Sequence, residues 1–376
     1  MATEEKSTKE RYESARLGDI PFYRPEIGTR DFIRGMHESD YVSTAETLAG
    51  RKFGCNGIGK LTEVALYYPN EYSSFTSNPQ VRENPSFWQT LVGLPEKPPV
   101  DLTKYQAETE ALGKAFEMNG VSVRWVEFPD PPMAAYGPMM GQVYLAWGNI
   151  YRGGSIISKM GWFPGTIGLT EYLAKWAWNE LNIPVLTAIT EGACEPGGAN
   201  FLAQDVMATA ISPAYTEAGV DQFVSAIART SGTKDFHNLV LRPEVEGFFD
   251  AGSGACAHPD MQIMAVDVGK VVIAPALDRA ARGWLEDNNF EIIEADSDEQ
   301  KALLGPTNVV LLEPGKILAH AECPKTNDRL VKAGLQVIPV PSGELLKSGG
   351  GIKCRTMQIY REPGAALEDV RNRSWK

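Results

Sequence analysis

The sequence lacks the features of several large protein classes. It has no run of about 20 apolar residues such as crosses a bilayer, and residues 1–16 are charged throughout, with no apolar signal segment. No run of Lys and Arg is long enough to follow a phosphate backbone, and 36 basic residues face 48 acidic ones, a net charge of −12. We therefore expect a cytoplasmic protein with neither a membrane nor a nucleic acid as partner.

Cysteine and histidine are also scarce, with five and four copies. The cysteines are odd in number and widely scattered, so they form neither a disulfide framework nor a C-x2-C metal pair. They are Cys55, Cys194, Cys256, Cys323 and Cys354. No G-x-G-x-x-G follows a first strand, and no G-x-x-x-x-G-K-[ST] is present, so nucleotide binding has no support. Any cysteine chemistry would be that of a thiol.

What remains is an ordinary globular composition, 43% hydrophobic and 22% charged. The 376 residues, at about 150 per domain, suggest two or three domains. A repeat changes that estimate. Helix-like segments recur at 105–119, 166–181, 216–230, 278–289 and 326–333. A β-branched run follows each helix, and a pair of strand-like runs precedes four of them; MAVDVGKVVIAP and VLLEPGKILAH match most closely.

This spacing predicts an α/β propeller of five strand-strand-helix-strand (ββαβ) units around a central channel, in one domain. The alternative is an α/β sheet with irregular insertions, but a doubly wound sheet has one strand per helix, whereas about three accompany each helix here. We expect a polar N-terminal extension over 1–50, a catalytic domain over 51–365 and a C-terminal tail over 366–376. Monomer and homodimer both stay open.

Chemically unusual residues recur at the start of each hairpin, where the innermost strands of such a ring converge. The segments are FGCNGIGK (53–60), LAWGN (145–149), EGACEPGGAN (191–200), GACAHPD (254–260), LGPTN (304–308) and SGGGIKCRT (348–356). Cys354 follows three glycines, which let a ligand approach the backbone closely. A lone cysteine is more often a buried hydrophobe, and that interpretation is kept for the other four, although it stays open for Cys194 and Cys256, which fall in these segments.

His258 stands two residues before Asp260, a spacing that puts both side chains on one face of an extended chain. They could supply an acid/base group and a carboxylate to one substrate of a cysteine nucleophile. Glu191, Glu195 and Asn200 in the third segment could bind a cationic substrate or accept a proton from the imidazole; a solvated turn is the plain alternative. Other residues of these segments are expected to bind substrate as well, namely Trp147, Asn149 and Gly351.

The segments FGCNGIGKLTEVALYYP, HPDMQIMAVDVGKVVI, TNVVLLEPGKILAH and above all SGELLKSGGGIKCRTMQIYRE resemble the guanidino-group-modifying enzymes. These include arginine deiminases, dimethylarginine dimethylaminohydrolases, agmatine deiminases and amidinotransferases. The resemblance runs from about residue 53 to 363. It implies the pentein fold, a fivefold ββαβ propeller, which agrees with the repeat.

The resemblance also implies a covalent mechanism without metal or organic cofactor. Cys354 would attack the central carbon of a guanidinium or amidine, and His258 would protonate the leaving amine and then activate water or an acceptor amine. Asp260 would bind the substrate N–H groups. A cation held by carboxylates becomes more electrophilic at carbon, and the nearby positive charge favours the thiolate.

Three departures from the family pattern concern the substrate. Ala146 stands where the family has an aspartate, SPAYTEAG lacks the arginine that often holds an amino-acid carboxylate, and PGGAN gives Gly197 and Asn200 for the usual Glu and Asp, unless a small shift brings in Glu195. We therefore expect a substrate that is less cationic than arginine, or held by Glu191 or Glu195 from another angle, and that lacks the α-carboxylate.

Three functions stay open. The leading hypothesis is a thiol-dependent hydrolase that cleaves a C–N bond of a small guanidine or linear amidine through a Cys354 intermediate. An amidinotransferase would use the same residues with an amine acceptor. A pentein binding protein without catalysis is the third.

Overall fold

The computed structural model describes residues 16, 40–71, 73, 100–128, 133–134, 137–138, 143–159, 166–250, 252–303, 305–347 and 349–374. The chain divides into two compact units, Met1–Lys52 and Phe53–Lys376. In the first unit, helix α1 spans Tyr41–Ala49; the Asp40 side chain caps it by accepting a hydrogen bond from Ser43 N, and Gly50 ends it in a left-handed conformation. The rest of the predicted extension lies outside the described residues.

The second unit is a mixed α/β structure. Its strands are β1 (Leu61–Tyr67), β2 (Ser122–Val126), β3 (Met133–Ala134), β4 (Gly137–Pro138), β5 (Ser155–Ile157), β6 (Val185–Ala188), β7 (Asn200–Ala203), β8 (Val206–Ala210), β9 (His237–Leu241), β10 (Phe249–Asp250), β11 (Ala255–Cys256), β12 (Ile263–Asp267), β13 (Lys270–Ile273), β14 (Glu291–Glu294), β15 (Val310–Glu313), β16 (Lys316–His320), β17 (Gln336–Val340) and β18 (Met357–Arg361). Its helices are α2 (Leu102–Met118), α3 (Leu169–Leu181), α4 (Glu217–Thr230), α5 (Arg279–Asp287), α6 (Ser297–Leu303), α7 (Pro324–Lys332), α8 (Gly343–Lys347) and α9 (Leu367–Arg371).

Three sheets repeat one topology. In β7-β8-β9, β12-β13-β14 and β15-β16-β17 the first two strands pair antiparallel and the third pairs parallel to the second. A helix connects the second strand of each sheet to the third, as a parallel crossover requires. The two Gly-Lys hairpins turn at Gly269 and Gly315, whose positive φ angles of 66° and 82° suit glycine. The predicted strand-strand-helix-strand unit is therefore present in these three copies.

The first copy of the repeat combines strands from the two ends of the second compact unit, Phe53–Lys376. Strand β18 pairs antiparallel with β1, and β1 pairs parallel with β2. The C-terminal strand thus takes the first position of this sheet, and Cys354, three residues before it, is brought to the sheet's end. Among the described residues the sheets stay separate and no closed sheet forms, so closure of the five copies into a ring stays a prediction.

The second copy departs from the sequence prediction. VYLAWGNIYRGGSIISKM was expected to form a hairpin, but Leu145–Gly148 is a 3-10 helix and only Ser155–Ile157 forms a strand, paired parallel with β6. The prediction of a first strand here was wrong. Gly148 explains part of the difference, because a side chain there would collide with Leu173 of α3 at 2.7 Å.

Each of the five repeated helices begins and ends within three residues of the bounds predicted for it. Strand residues of the repeats are buried on both faces, as with Val271, Val272 and Ile273, which explains their continuous apolar runs. The short helices α6, α8 and α9 were not predicted. Leu367 and Val370 of α9 are buried within the second unit, although residues 366–376 were expected to form a tail. No helix in the described part of the chain is both long and apolar enough to span a membrane.

Candidate active site

The glycine-rich loop before β18 places Cys354 in a buried position. Asn308, from the loop before β15, receives this loop: its Oδ1 accepts hydrogen bonds from Lys353 N (3.0 Å) and Cys354 N (3.2 Å). A Cβ at Gly351 would lie 2.3 Å from Asn308 Oδ1. The backbone at Gly351 lies directly against Asn308, so only glycine fits at this position. The absence of a side chain at 351 allows the loop its close approach to Asn308.

Asp260 is the carboxylate that touches the sulfur. Its Oδ2 lies 3.6 Å from Cys354 Sγ, so the thiol can donate its hydrogen to this oxygen. The same oxygen accepts a hydrogen bond from Asn308 Nδ2 at 3.1 Å and lies 3.0 Å from Lys353 Nζ. Its other oxygen, Oδ1, is buried and has no hydrogen-bond partner among the described residues. One carboxylate oxygen is thus engaged and the other is open to a donor on a ligand.

His258 forms a second buried pair with Glu195. Its Nε2 lies 2.7 Å from Glu195 Oε2, and both side chains are almost fully buried. The Tyr215 hydroxyl donates to the Glu195 carbonyl at 2.7 Å, and the rings of Tyr215 and Phe248 meet the imidazole edge to face at centroid distances of 5.8 and 4.6 Å. A histidine oriented by a carboxylate can accept and return a proton.

Short 3-10 helices position these groups. Pro196–Gly198 follows Glu195, and Pro259–Met261 contains Asp260 and follows His258. The first of these turns packs closely against Tyr215 because Gly198 has no side chain. A Cβ at Gly198 would lie 2.0 Å from the Tyr215 hydroxyl. Pro259–Met261 is a 3-10 turn, so His258 and Asp260 do not lie on one face of an extended chain, as their spacing of two had predicted.

The surroundings of Cys354 favour its thiol form over the thiolate. Burial, and secondarily the charge of Asp260, raise the pKa of Cys354 to about 12, although Lys353 acts in the opposite direction. Lys353 thus lowers this pKa, the direction that the resemblance implies for a nearby positive charge, but burial and Asp260 have the larger effect. Asp260 Oδ2 is the carboxylate oxygen in contact with this thiol.

Two of the predicted substrate residues are amides in a neighbouring cavity. Asn149 Oδ1 accepts a hydrogen bond from Gln358 N at 2.8 Å, and Asn200 Nδ2 donates to the Ile263 carbonyl at 3.1 Å. Both line a cavity together with Lys353. Their backbone partners indicate that they hold strands in place, and their role as substrate ligands stays a prediction.

The remaining predicted residues take different positions. Trp147 is buried in the 3-10 helix, and Ala146 N beside it donates to the Cys354 carbonyl at 3.1 Å. The backbone at Ala146 also packs against Gly197, where a Cβ would lie 2.6 Å away. Glu191 is exposed, and its carbonyl oxygen accepts a hydrogen bond from Gln222 Nε2. The structure thus brings Glu195 to His258 and places Glu191 at the surface.

Two residues of the cluster were not singled out from the sequence. Asn308 belongs to the LGPTN segment, which was placed at the site without a role for its amide. Lys353 is adjacent to Cys354 in the sequence, and the burial of a lysine at this position gives no periodic signal. In the described part of the chain, no group of three or more His, Cys, Asp and Glu side chains could hold a metal ion, and all five cysteines are free.

Comparison with known proteins follows the same segments. Residues 253–361 match the family model "Arginine deiminase". The chain is 57% identical over 379 residues to the 2-nitroimidazole nitrohydrolase of Mycobacterium sp. (strain JS330), with 100% of both chains covered. It is also 46% identical over 56 residues to the arginine deiminase of Mycoplasma capricolum, which covers 15% of this chain and 14% of that one.

Solved structures agree on the fold. The chain is similar to dimethylarginine dimethylaminohydrolase from Pseudomonas aeruginosa in complex with citrulline, with a TM-score of 0.59, 15% identity and coverage of 80% of this chain and 99% of that one. A cyanobacterial arginine dihydrolase domain bound to substrate gives a TM-score of 0.60 at 17% identity, covering 80% and 98%. The mixed α/β fold of the second unit matches theirs.

Proposed function

This chain belongs to the pentein superfamily of guanidino-group-modifying enzymes, and from that premise we propose that it is a cysteine-dependent hydrolase that releases nitrite from a 2-nitroimidazole. The observation that carries the proposal is the site itself: a thiol against Asp260 and a buried His258–Glu195 pair. The relative that is 57% identical over its full length is a nitrohydrolase by name, which supports the choice of leaving group.

The substrate fits the chemistry of the site because carbon 2 of a nitroimidazole lies between two ring nitrogens, like the central carbon of a guanidinium. The nitro group makes this carbon electrophilic without a positive charge. In the proposed first step the Cys354 sulfur bonds to carbon 2 while its proton passes to Asp260 Oδ2. The bond from carbon 2 to the nitro nitrogen then breaks, and nitrite leaves with the bonding electrons. Nitrite is a weak base, so no acid has to protonate it.

The second step removes the sulfur. His258, oriented by Glu195, takes a proton from water as the water oxygen bonds to carbon 2. The carbon–sulfur bond breaks, the sulfur recovers its proton from Asp260, and the proton on His258 goes to solvent. The product is the 2-hydroxyimidazole, which tautomerises to an imidazol-2-one. One water enters for each nitrite, proton and imidazolone released.

The departures from the family agree with this substrate. An imidazole has no α-carboxylate, so it needs no counterpart of the missing arginine in SPAYTEAG. A neutral ring also needs fewer carboxylates than a guanidinium. Ala146 stands in the position of the family aspartate, and its backbone packs against Gly197. Hydrolysis of a linear guanidine, amidino transfer and binding without catalysis stay predictions that the same assay separates.

The test is incubation of the purified protein with 2-nitroimidazole, with nitrite measured colorimetrically and imidazolone by mass spectrometry. We expect equal amounts of both, and none from Cys354→Ala, while Cys323→Ala, which removes another buried thiol, retains activity. Parallel reactions contain L-arginine, N-methylated guanidines, or these with glycine as acceptor. Turnover of arginine without nitrite release would support a guanidine hydrolase; product only with glycine would support a transferase; no turnover at all would support a binding protein.

A further inference from the structure

A buried lysine stands directly beside the nucleophile. Lys353 precedes Cys354, and its side chain is 1% exposed. Its Nζ lies 3.0 Å from Asp260 Oδ2 and also donates a hydrogen bond to the Gly197 carbonyl. A lysine this deeply buried needs a partner for its charge, and Asp260, equally buried, supplies it.

This contact changes what Asp260 can do for a ligand. An unpaired buried carboxylate strongly attracts a cation, because charges interact at low dielectric with little screening. Here the compensating cation is covalently part of the chain and already in place. A guanidinium brought to Asp260 would meet the Lys353 ammonium at close range, whereas a neutral ring would meet a balanced pair.

The free oxygen of Asp260 completes the argument. Oδ1 is buried and has no hydrogen-bond partner among the described residues, so it can accept one N–H from a ligand. A neutral imidazole has one ring N–H to give. We propose that Lys353 is a specificity-determining residue: its ammonium takes the place of the substrate's positive charge at Asp260 and so selects neutral N–H heteroaromatic substrates over guanidinium and amidinium cations.

The inference rests on the proposed function for the role of Cys354, but its test does not need turnover. Cys354 is alkylated by iodoacetamide, which is neutral, or by 2-chloroacetamidine, which is a cation, and mass spectrometry follows the labelled peptide. Each rate is divided by the rate with glutathione, which removes the intrinsic reactivity of the reagent. The ratio of cationic to neutral labelling then reports the charge preference of the site.

We expect the wild type to favour the neutral reagent and Lys353→Met to shift the ratio toward the cation by about tenfold or more. Lys104→Met, at a solvent-exposed lysine of α2, should leave the ratio unchanged. The double variant Lys353→Met, Asp260→Asn removes both charges with nearly the same loss of packing, and its ratio should return close to that of the wild type. Equal ratios in the wild type and Lys353→Met, or equal shifts in the single and double variants, would overturn the proposal.

A measurement on the wild type covers the case in which Lys353→Met does not fold. Protection of Cys354 from iodoacetamide is titrated with imidazol-2-one and with 2-aminoimidazolium, which have the same shape and differ in charge. We expect the neutral compound to protect at a concentration at least about tenfold lower. Equal or better protection by the cation would overturn the role of Lys353. Absence of nitrite release, by contrast, would overturn the proposed function and leave these ratios unchanged.

Discussion

Two buried carboxylates belong to the candidate site, and they differ in their partners. Glu195 pairs with His258 at 2.7 Å and Asp260 with Lys353 at 3.0 Å. An imidazole changes its charge between about pH 5 and 8, whereas an ammonium group normally keeps its proton up to about pH 10. In the proposed mechanism Asp260 takes the thiol proton in the first step, and the Glu195–His258 pair takes the proton of water in the second. The two proton transfers are thus divided between the two pairs, and Asp260 carries out its transfer beside the Lys353 ammonium.

The two pairs should also differ in what happens when the carboxylate is neutralised. Neutralising Glu195 leaves an imidazole as its former partner, which is not a permanently charged group. Without the charge of Asp260, the Lys353 ammonium is left in a site that is 1% exposed. Breaking a buried pair on one side is costly because the remaining charge has lost both water and its partner.

The largest expected effect tests this difference in stability. Asp260→Asn should lower the free energy of unfolding by about 3–5 kcal/mol, as measured by urea denaturation. Glu195→Gln should lower it by about 1 kcal/mol, since a neutral histidine can keep a hydrogen bond to the amide. Adding Lys353→Met to Asp260→Asn should recover most of the loss. If the double variant is no more stable than Asp260→Asn alone, the isolated ammonium is not the cause.

The sequence indicated which segments contribute residues to the candidate site, but not which side chains of different segments pair with each other. His258, Asp260 and Cys354 were placed together because glycine, histidine and cysteine recur at the hairpin starts. That Glu195 and not Gly197 meets His258 depends on the Pro196–Gly198 turn, which no spacing rule gives. Lys353 was missed because a charged residue before a nucleophile is ordinarily solvent-exposed, and its burial follows only from the packed tertiary structure.

More of the fold than of the candidate site could be predicted from the sequence, for a physical reason. Helix and strand periodicities are local, and the Gly-Lys turns mark each hairpin, so three complete repeats could be predicted from their residues alone. The pairing of β18 with β1 joins residues about 300 positions apart and has no local signal. The second repeat failed for the opposite reason: VYLAWG has strand-forming residues, but it packs as a 3-10 helix against α3.

The next effect concerns the rate. Glu195→Gln should slow hydrolysis of 2-nitroimidazole about 10²-fold, because His258 loses the group that orients it and stabilises its charge. In the proposed sequence nitrite leaves before water reacts, so the variant should still release one nitrite per protein in a fast first phase. Rapid-quench nitrite assays, with mass spectrometry of the Cys354 peptide, check this. If nitrite release slows equally and no imidazolyl adduct accumulates, the pair acts before sulfur attack and the division of roles is wrong.

The last prediction, an effect of about tenfold per pH unit, concerns the Cys354 thiol, which contacts Asp260. Because burial and Asp260 raise the pKa of Cys354 to about 12, the sulfur stays protonated in the neutral range, and its thiolate fraction should rise about tenfold for each pH unit below that value. Alkylation of Cys354 by iodoacetamide should therefore rise steadily from pH 7 to 9.5 without a plateau.

Two variants test which groups set this profile. Lys353, the Gly351 N–H and Arg355 lower the pKa of Cys354, so Lys353→Met should slow alkylation at every pH in this range. Glu195→Gln should leave the profile unchanged, since neither Glu195 nor His258 sets the pKa of this thiol. A plateau in the wild type near pH 7 would mean that the thiolate forms without the substrate, and Asp260 would then not be needed as its base.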